Sequence, residues 1–371
     1  MKRIILVAVV GAVIGGALVG RLLHEFEWNP TATIKFGEAF VEQNEYAEGL
    51  LGEIVVAPEA GHDGKFFFSQ AMDPFYLEPE VHAIYLDRPS YRAQRMLYPT
   101  VASIGGLLPP MGTAWGLIVV SVIALGLGTA ATALVAREMR LSAWFGLAFA
   151  LNPGVFIVLY IDSSGILALA GLMFGVYFVM RGRLTAAAIA LVVAVLTRET
   201  MLIGAVGLAA FWYRENRRMP RLVIPSVVAL AGWWLYVHWR LDDALTQDTQ
   251  ALGLPFIGFA QAFQRWISEP DRLPDLLIGV VLVVASMGIL IRAIRTPTAL
   301  GWSVAGFAFL GILLSEPVWY RYFDSSRAMA PVLTAYLLLI PAAAKASQSE
   351  APLRDIGMRE NDEPLEVQKP T

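Results

Sequence analysis

The residues best suited to chemistry in this chain are carboxylates and arginines, and they fall in short polar stretches between apolar ones. The segment GHDGKFFFSQAMDPF (61–75) carries Asp63, Lys65 and Asp73. YRAQRMLYP (91–99) carries Arg92 and Arg95, and DSSG (162–165) carries Asp162. TRET (197–200) carries Arg198 and Glu199, and EPVWYRYFDSSR (316–327) carries Arg321, Asp324 and Arg327. A guanidinium makes two-pronged, charge-assisted hydrogen bonds to phosphate oxygens. A carboxylate serves as general base toward a hydroxyl. The two types together suit transfer from a lipid phosphate, with arginine holding the leaving phosphate while a carboxylate deprotonates the acceptor.

Each residue also has a plainer role. Asp63, before a glycine, reads equally as a turn residue. Asp73-Pro74 fits a turn or helix cap better than a base, and Asp162 and Asp324, each followed by two serines and an apolar run, fit N-caps. Arg92 and Arg95 are three apart and share a helix face, where Asp87, Glu78 or lipid headgroups are alternative partners. Arg198 and Glu199 read as a structural ion pair or as a recessed polar site. Arg327 opens the last apolar run, where the helix dipole disfavours a cation, which points to an anionic partner.

These residues must be positioned by membrane helices. The chain has 371 residues, 57% hydrophobic and only 16% charged, against roughly 25% charged in soluble domains. Mean hydropathy is +0.58. The composition is that of an all-α polytopic membrane protein. Ten apolar segments recur, at 4–23, 113–136, 143–161, 164–180, 184–197, 201–213, 222–239, 274–294, 298–315 and 327–346. Residues 97–111, broken by prolines, read as a short interfacial helix. The first segment reads as an uncleaved anchor, so 1–347 form a membrane domain and the polar 348–371 a disordered cytoplasmic tail. The pair 184–197 and 201–213 reads as two short helices meeting at TRET. One continuous helix would place Arg198 and Glu199 at its centre.

Basic residues set the orientation. Lys2-Arg3, 137–140, 181–183, 214–221 and 292–295 all fall on one side, which the positive-inside rule makes cytoplasmic. Both termini are then cytoplasmic. Loop 24–96 and the carboxylate–arginine turns face outward. In the first loop, partial burial is expected to raise the pKa of Asp63 and nearby arginines to lower it.

Several classes are disfavoured. A net charge of −3 gives no basic footprint for nucleic acid. With no cysteine, disulfides, thiolate metal sites and a cysteine nucleophile are excluded. His24, His62, His82 and His238 lack zinc-site spacing. No cofactor is implied, and a divalent metal is unsupported, because a lone carboxylate is a poor cation site.

The order of one N-terminal segment, an outer loop with Asp-Gly-x-x-Phe-x-x-x-Ala-x-Asp-Pro-Phe, then Tyr-Arg-x-x-Arg-x-Leu-Tyr-Pro and many apolar segments, resembles the GT-C glycosyltransferase superfamily. That superfamily includes protein O-mannosyltransferases, lipid A aminoarabinose transferases and the mannosyltransferases of glycosylphosphatidylinositol synthesis. The resemblance implies a polyprenyl-phosphate sugar donor, a lipid, glycan or protein acceptor, and inverting transfer on the outer side of a bacterial plasma membrane. It also implies an acid in the first outer loop. That acid maps onto Asp63, with Phe67 and Ala71 matching the residues that follow it. Arg92 and Arg95 match the basic pair, Thr197-Arg198-Glu199 a polar break, and Arg327 a late arginine. These arginines and Arg321 are the expected phosphate ligands. Asp73, Asp162, Glu199 and Lys65 are expected in support. The chain departs from the pattern in lacking a second acid beside Asp63 and a soluble C-terminal domain. A transporter or flippase for an anionic lipid, or a non-catalytic membrane subunit, is the alternative. No internal repeat favours a transporter.

Overall fold

The structure is a computed structural model. It describes the chain except residues 44, 59, 84–85, 109–110, 219, 242–251 and 361–371, and except the side chains of 43 and 346–360. It is predominantly helical. Two two-residue strands, Phe36–Gly37 and Val56–Ala57, pair in parallel inside the first loop.

Among the described residues, three helices are long and apolar enough to cross a membrane: Lys2–Glu25, Gly112–Glu138 and Pro270–Arg295. Two bent pairs raise the number to five, Ala143–Ala150 with Pro153–Tyr160 (50°) and Tyr322–Ala328 with Ala330–Lys345 (65°). Ten spans are expected; the described residues hold three to five. Apolar runs are visible in sequence, but their helices are short. Gly165–Met180 has 16 residues, Leu184–Thr197 14, Met201–Asn216 16 and Ala299–Leu313 15, where a perpendicular span needs about 20. The helix Ile224–Leu241 ends in a turn carrying His238 and Arg240. The two short helices flanking TRET are separate.

Both bends have a local cause and share a tie. Pro153 cannot donate to the preceding turn, so the helix restarts there. Asn152 caps the new helix by accepting from the Gly154 amide at 2.9 Å. The buried Asn152 amide donates to the Ala330 carbonyl and the Thr334 hydroxyl, both at 2.9 Å. One satisfied side chain therefore pins the first bend to the second.

The main apolar core runs through the bundle, from Leu23 and Leu125 to Phe307 and Leu338. A second core lies under the first loop and joins Ile34, Phe36, Phe67, Phe68, Tyr98 and Leu117. Ile5, Val9 and Val13 on the first helix, and Leu277, Val281 and Val284 on the Pro270–Arg295 helix, remain exposed. Apolar faces of that kind suit lipid rather than water.

The polar turns divide between the two ends of the bundle. At one end Lys2, Arg3 and Arg137 line a common cleft, Arg181 pairs with Glu138 at 3.4 Å, and Lys345 donates to the Arg140 carbonyl at 2.7 Å. At the other end the first loop closes over the turns at 161–164, 198–200 and 321–329. The short helices 97–102 and 103–107 pack there against the start of Gly112–Glu138. Prolines 109–110 of the expected interfacial segment lie outside the described residues. The Ala330–Glu360 helix enters the expected tail, whose residues 361–371 also lie outside them.

Candidate functional site

Asp63 begins the Gly64–Met72 helix, whose Phe66, Phe67 and Phe68 are buried. Gly64 is required by packing rather than by a sharp turn. A Cβ there would lie 2.5 Å from the Ile34 carbonyl oxygen and 2.8 Å from that of Ile161. The turn glycine is Gly61, at φ +66°. The helix start therefore rests directly on the backbone at 34 and 161, which aims residue 63 at the neighbouring turns.

The Asp63 side chain does not cap its helix. Both oxygens are held by guanidiniums. Arg92 Nη1 donates to Oδ1 at 3.0 Å and Arg327 Nη1 to Oδ2 at 2.7 Å. Arg92 also forks onto Asp87 at 2.8 and 3.0 Å and lies over the Phe66 ring at 4.1 Å. Arg327 Nη2 donates to Asp324 at 2.9 Å. Burial works to raise the Asp63 pKa, but Arg327, Arg92, Arg95 and Arg198 outweigh it and hold the carboxyl far below the usual range.

Beside this clasp, Arg95 donates to both Glu199 oxygens at 3.2 and 3.1 Å and to the Tyr91 hydroxyl at 2.6 Å. Glu199 thus pairs with Arg95, 104 residues away, and not with its neighbour Arg198. Burial opposes the Arg95 charge, but Glu199 and Tyr91 raise its pKa. The Arg198 Nε is buried with no hydrogen-bond partner among the described residues. Burial and the charges of Arg95 and Arg327 lower its pKa to about 10. Arg198 and Arg327 line a cavity of about 20 Å³ with Thr200, Val158, Phe307 and Pro331, enough space for one water. The inner set holds four arginines (92, 95, 198, 327) against two carboxylates (63, 199), a net +2, which Asp87 and Asp324 at the rim balance.

Arg327 corrects an expectation. It lies in the last turn of the short helix Tyr322–Ala328, before the 65° bend. A cation suits that end of a helix, and its anionic partners are Asp63 and Asp324. Asp324 is an ion-pair partner rather than a cap.

Other candidates stand apart. Arg321 is exposed and enters none of these pairs. The Lys65 ammonium donates to the Ala60 carbonyl and lies 5.1 Å from the centre of the Phe66 ring. Asp73 accepts from the Leu77 and Glu78 amides at 2.8 and 2.7 Å, the turn role expected of it. Asp162 caps no helix. It adopts φ +44° in the 161–164 turn and contacts the Thr33 hydroxyl. Tyr91 and Thr33 were not among the sequence candidates. Tyr91 lies beside Arg92 in the YRAQR motif, whereas no spacing links Thr33 to Asp162. Among the described residues, no three histidine, aspartate or glutamate side chains gather as a metal ion would require.

Comparison with family models, curated proteins and solved structures finds no match for this chain.

Proposed function

We propose that this protein is a membrane glycosyltransferase of the GT-C type. It moves a sugar from a polyprenyl-phosphate donor to a hydroxyl of a lipid, glycan or protein acceptor, with inversion, at the extracytoplasmic surface. The observation that supports this most is the convergence of Asp63, Arg92, Arg95, Arg198, Glu199 and Arg327, drawn from four distant stretches, on one end of the bundle. The basic turns at the opposite end support a cytoplasmic assignment for both termini.

In this reading the acceptor oxygen bonds to the anomeric carbon as the bond from that carbon to the phosphate oxygen breaks. The electron pair leaves with the phosphate, and the hydroxyl proton goes to Asp63. A carboxylate clasped by two guanidiniums is a weak base. An incoming phosphate competes for Arg92 and Arg327. Turning either guanidinium toward phosphate removes a cation from Asp63 and brings its pKa up toward the working range. Four guanidiniums gathered at one site can reorient onto the dianion of the departing phosphate monoester in exchange for their carboxylate partners.

The test is mass spectrometry of envelope glycolipids and glycans in a deletion strain carrying either wild type or Asp63→Asn. Wild type should restore a glycosylated species lost on deletion. Asp63→Asn, expressed and folded, should restore it at a rate lower by about 100- to 10,000-fold. Full restoration by Asp63→Asn would remove Asp63 as the base. A lipid redistributed between leaflets with no glycan missing would mean a transporter.

A further inference from the structure

We infer that the helix Ile257–Ser268 is a lipid-contacting half-span. It descends beside the Pro270–Arg295 helix through the leaflet nearest the Asp63 site, with one stripe against acyl chains and another along a wet cleft. The inference goes beyond the glycosyltransferase reading and does not depend on it.

The residues of this helix fall into three stripes at helical spacing. Gly258, Ala262 and Trp266 are buried against the protein. Phe256 at the N-cap, Ala260, Phe263 and Ile267 form an exposed apolar stripe. Gln261, Gln264, Arg265 and Ser268 form an exposed polar stripe and line a cleft of about 430 Å³ with Glu316. At 3.6 residues per turn the three stripes lie roughly 120° apart. A surface helix in water has one buried face and one solvated face. This helix has a third, which requires protein, hydrocarbon and water around it at once.

Its place in the fold selects lipid for the apolar stripe. Only Glu269 separates its C-terminus from the Pro270–Arg295 span. At its other end Phe256 and Phe259 line a small cavity with Val283, Met287 and Gly311. Val283 lies ten residues beyond Leu273, about 15 Å along the helix, half of a hydrocarbon core roughly 30 Å thick. Leu277, Val280, Val281 and Val284 are exposed on the span over the same depth. A soluble partner reaches that depth only by displacing acyl chains. The 15-residue Ala299–Leu313 helix stops there. The Gly253 and Phe256 amides donate to its Leu313 and Ile312 carbonyls at 2.7 and 2.8 Å, satisfying backbone groups that are costly to leave open in lipid. Polar residues at that depth are tolerated where they line a water-filled cavity, which the cleft supplies.

The buried stripe is firmly seated. A Cβ on Gly279 of the span would lie 2.6 Å from the Trp266 ring. Trp266 Nε1 donates to the Tyr320 carbonyl at 3.0 Å, and the Tyr320 hydroxyl to Glu269 at 3.0 Å. Arg265 pairs with Glu316 at 3.1 Å, and Phe259 meets Trp319 edge-on with ring centres 5.3 Å apart. The half-span thus braces residues 316–320, which lead into the Tyr322–Ala328 helix that carries Arg327.

The test uses the full-length protein in lipid nanodiscs and needs no substrate. The chain has no cysteine, so single spin labels can be attached without background. Collisions with oxygen report hydrocarbon, and collisions with a water-soluble nickel chelate report water. Ala260→Cys, Phe263→Cys and Ile267→Cys should give oxygen-to-nickel ratios about tenfold above those of Gln261→Cys and Gln264→Cys, because the polar chelate loses its hydration in hydrocarbon. The ratio should climb from 267 to 260 and there approach that of Val281→Cys on the adjacent span. Every labelled position is exposed, so the labels leave the packing intact, and circular dichroism checks each protein before it is read. Water-like ratios at 260 and 263, or a profile that does not climb toward 260, would overturn the inference. Low collision rates with both reagents at 263 and 267, with dipolar broadening between labels, would mean that a second copy covers the stripe and would overturn it too. Each of these results leaves the glycosyltransferase reading to the Asp63→Asn experiment alone.

Discussion

Asp63 and Asp162 occupy turns at the same end of the bundle and are withdrawn from bulk water, yet the two carboxyls move in opposite directions. Burial raises both. At Asp63 two guanidiniums make direct contact, at 3.0 and 2.7 Å. At Asp162 the hydrogen-bonding partner is a hydroxyl. An opposite charge about 4 Å away contributes about 4 kcal/mol at an effective dielectric constant of 20. Full burial shifts a carboxyl by up to about 3–5 units, at 1.36 kcal/mol each. Two such contacts exceed that penalty, whereas at Asp162, with no guanidinium in contact, Thr33, Lys35 and Tyr98 offset it only in part. Direct ionic contact, rather than depth, decides which aspartate is charged.

The comparison fixes the sign of the pH dependence. Asp162 titrates higher folded than unfolded, so its contribution is complete below about pH 4 and is lost as pH rises through about 7. Asp63 titrates lower when folded, so its contribution is present above about pH 4 and is lost on acidification. The largest stability effect therefore belongs to Asp162→Asn. Between pH 5 and pH 8 it should gain on wild type by on the order of 3 kcal/mol in denaturant or thermal unfolding. Parallel curves would mean that Asp162 is ionised throughout. Next comes Arg327→Gln, which removes one of the two contacts and makes Asp63 resemble Asp162. It should cost about 2 kcal/mol and raise the Asp63 titration by about 1–3 units in an infrared experiment. An unmoved titration would show that Arg92 alone sets it. The smallest effect should be at Asp73, a buried aspartate held by two backbone donors. Asp73→Asn keeps one acceptor oxygen of two. It should cost about 1 kcal/mol in thermal stability and leave the proposed transfer activity unchanged. Loss of the proposed transfer in a folded Asp73→Asn protein would move the proposed base from 63 to 73.

The sequence marks candidate charged residues, but neither which of them meet nor how they pair: Arg321, Lys65, Asp73 and Asp162 stand apart from the cluster. Asp63, Arg92, Arg95, Arg198, Glu199 and Arg327 were legible because charged residues are rare in an apolar chain and concentrate in its turns. Their pairing spans 29, 104 and 264 residues, and local spacing carries no information at that range. Glu199 therefore passed for a partner of Arg198, and Asp324 for a cap. The helix ends were hidden for a related reason. Asn152-Pro153 reads as an unbroken apolar stretch, and its bend is fixed by Ala330 and Thr334. Asp63-Gly64 reads locally as a turn, but the need for glycine at 64 is set by two carbonyls from remote segments.

The 264 residues between Asp63 and Arg327 also set an order of events during synthesis. At roughly 5–20 residues per second, that interval lasts about 15–50 s. Throughout it the first loop has been made, with Arg92 at hand for Asp63, while the helix that completes the clasp does not yet exist. A chain stopped before residue 327 lacks the second contact on Asp63, so the clasp closes only once the Tyr322–Ala328 helix has been made.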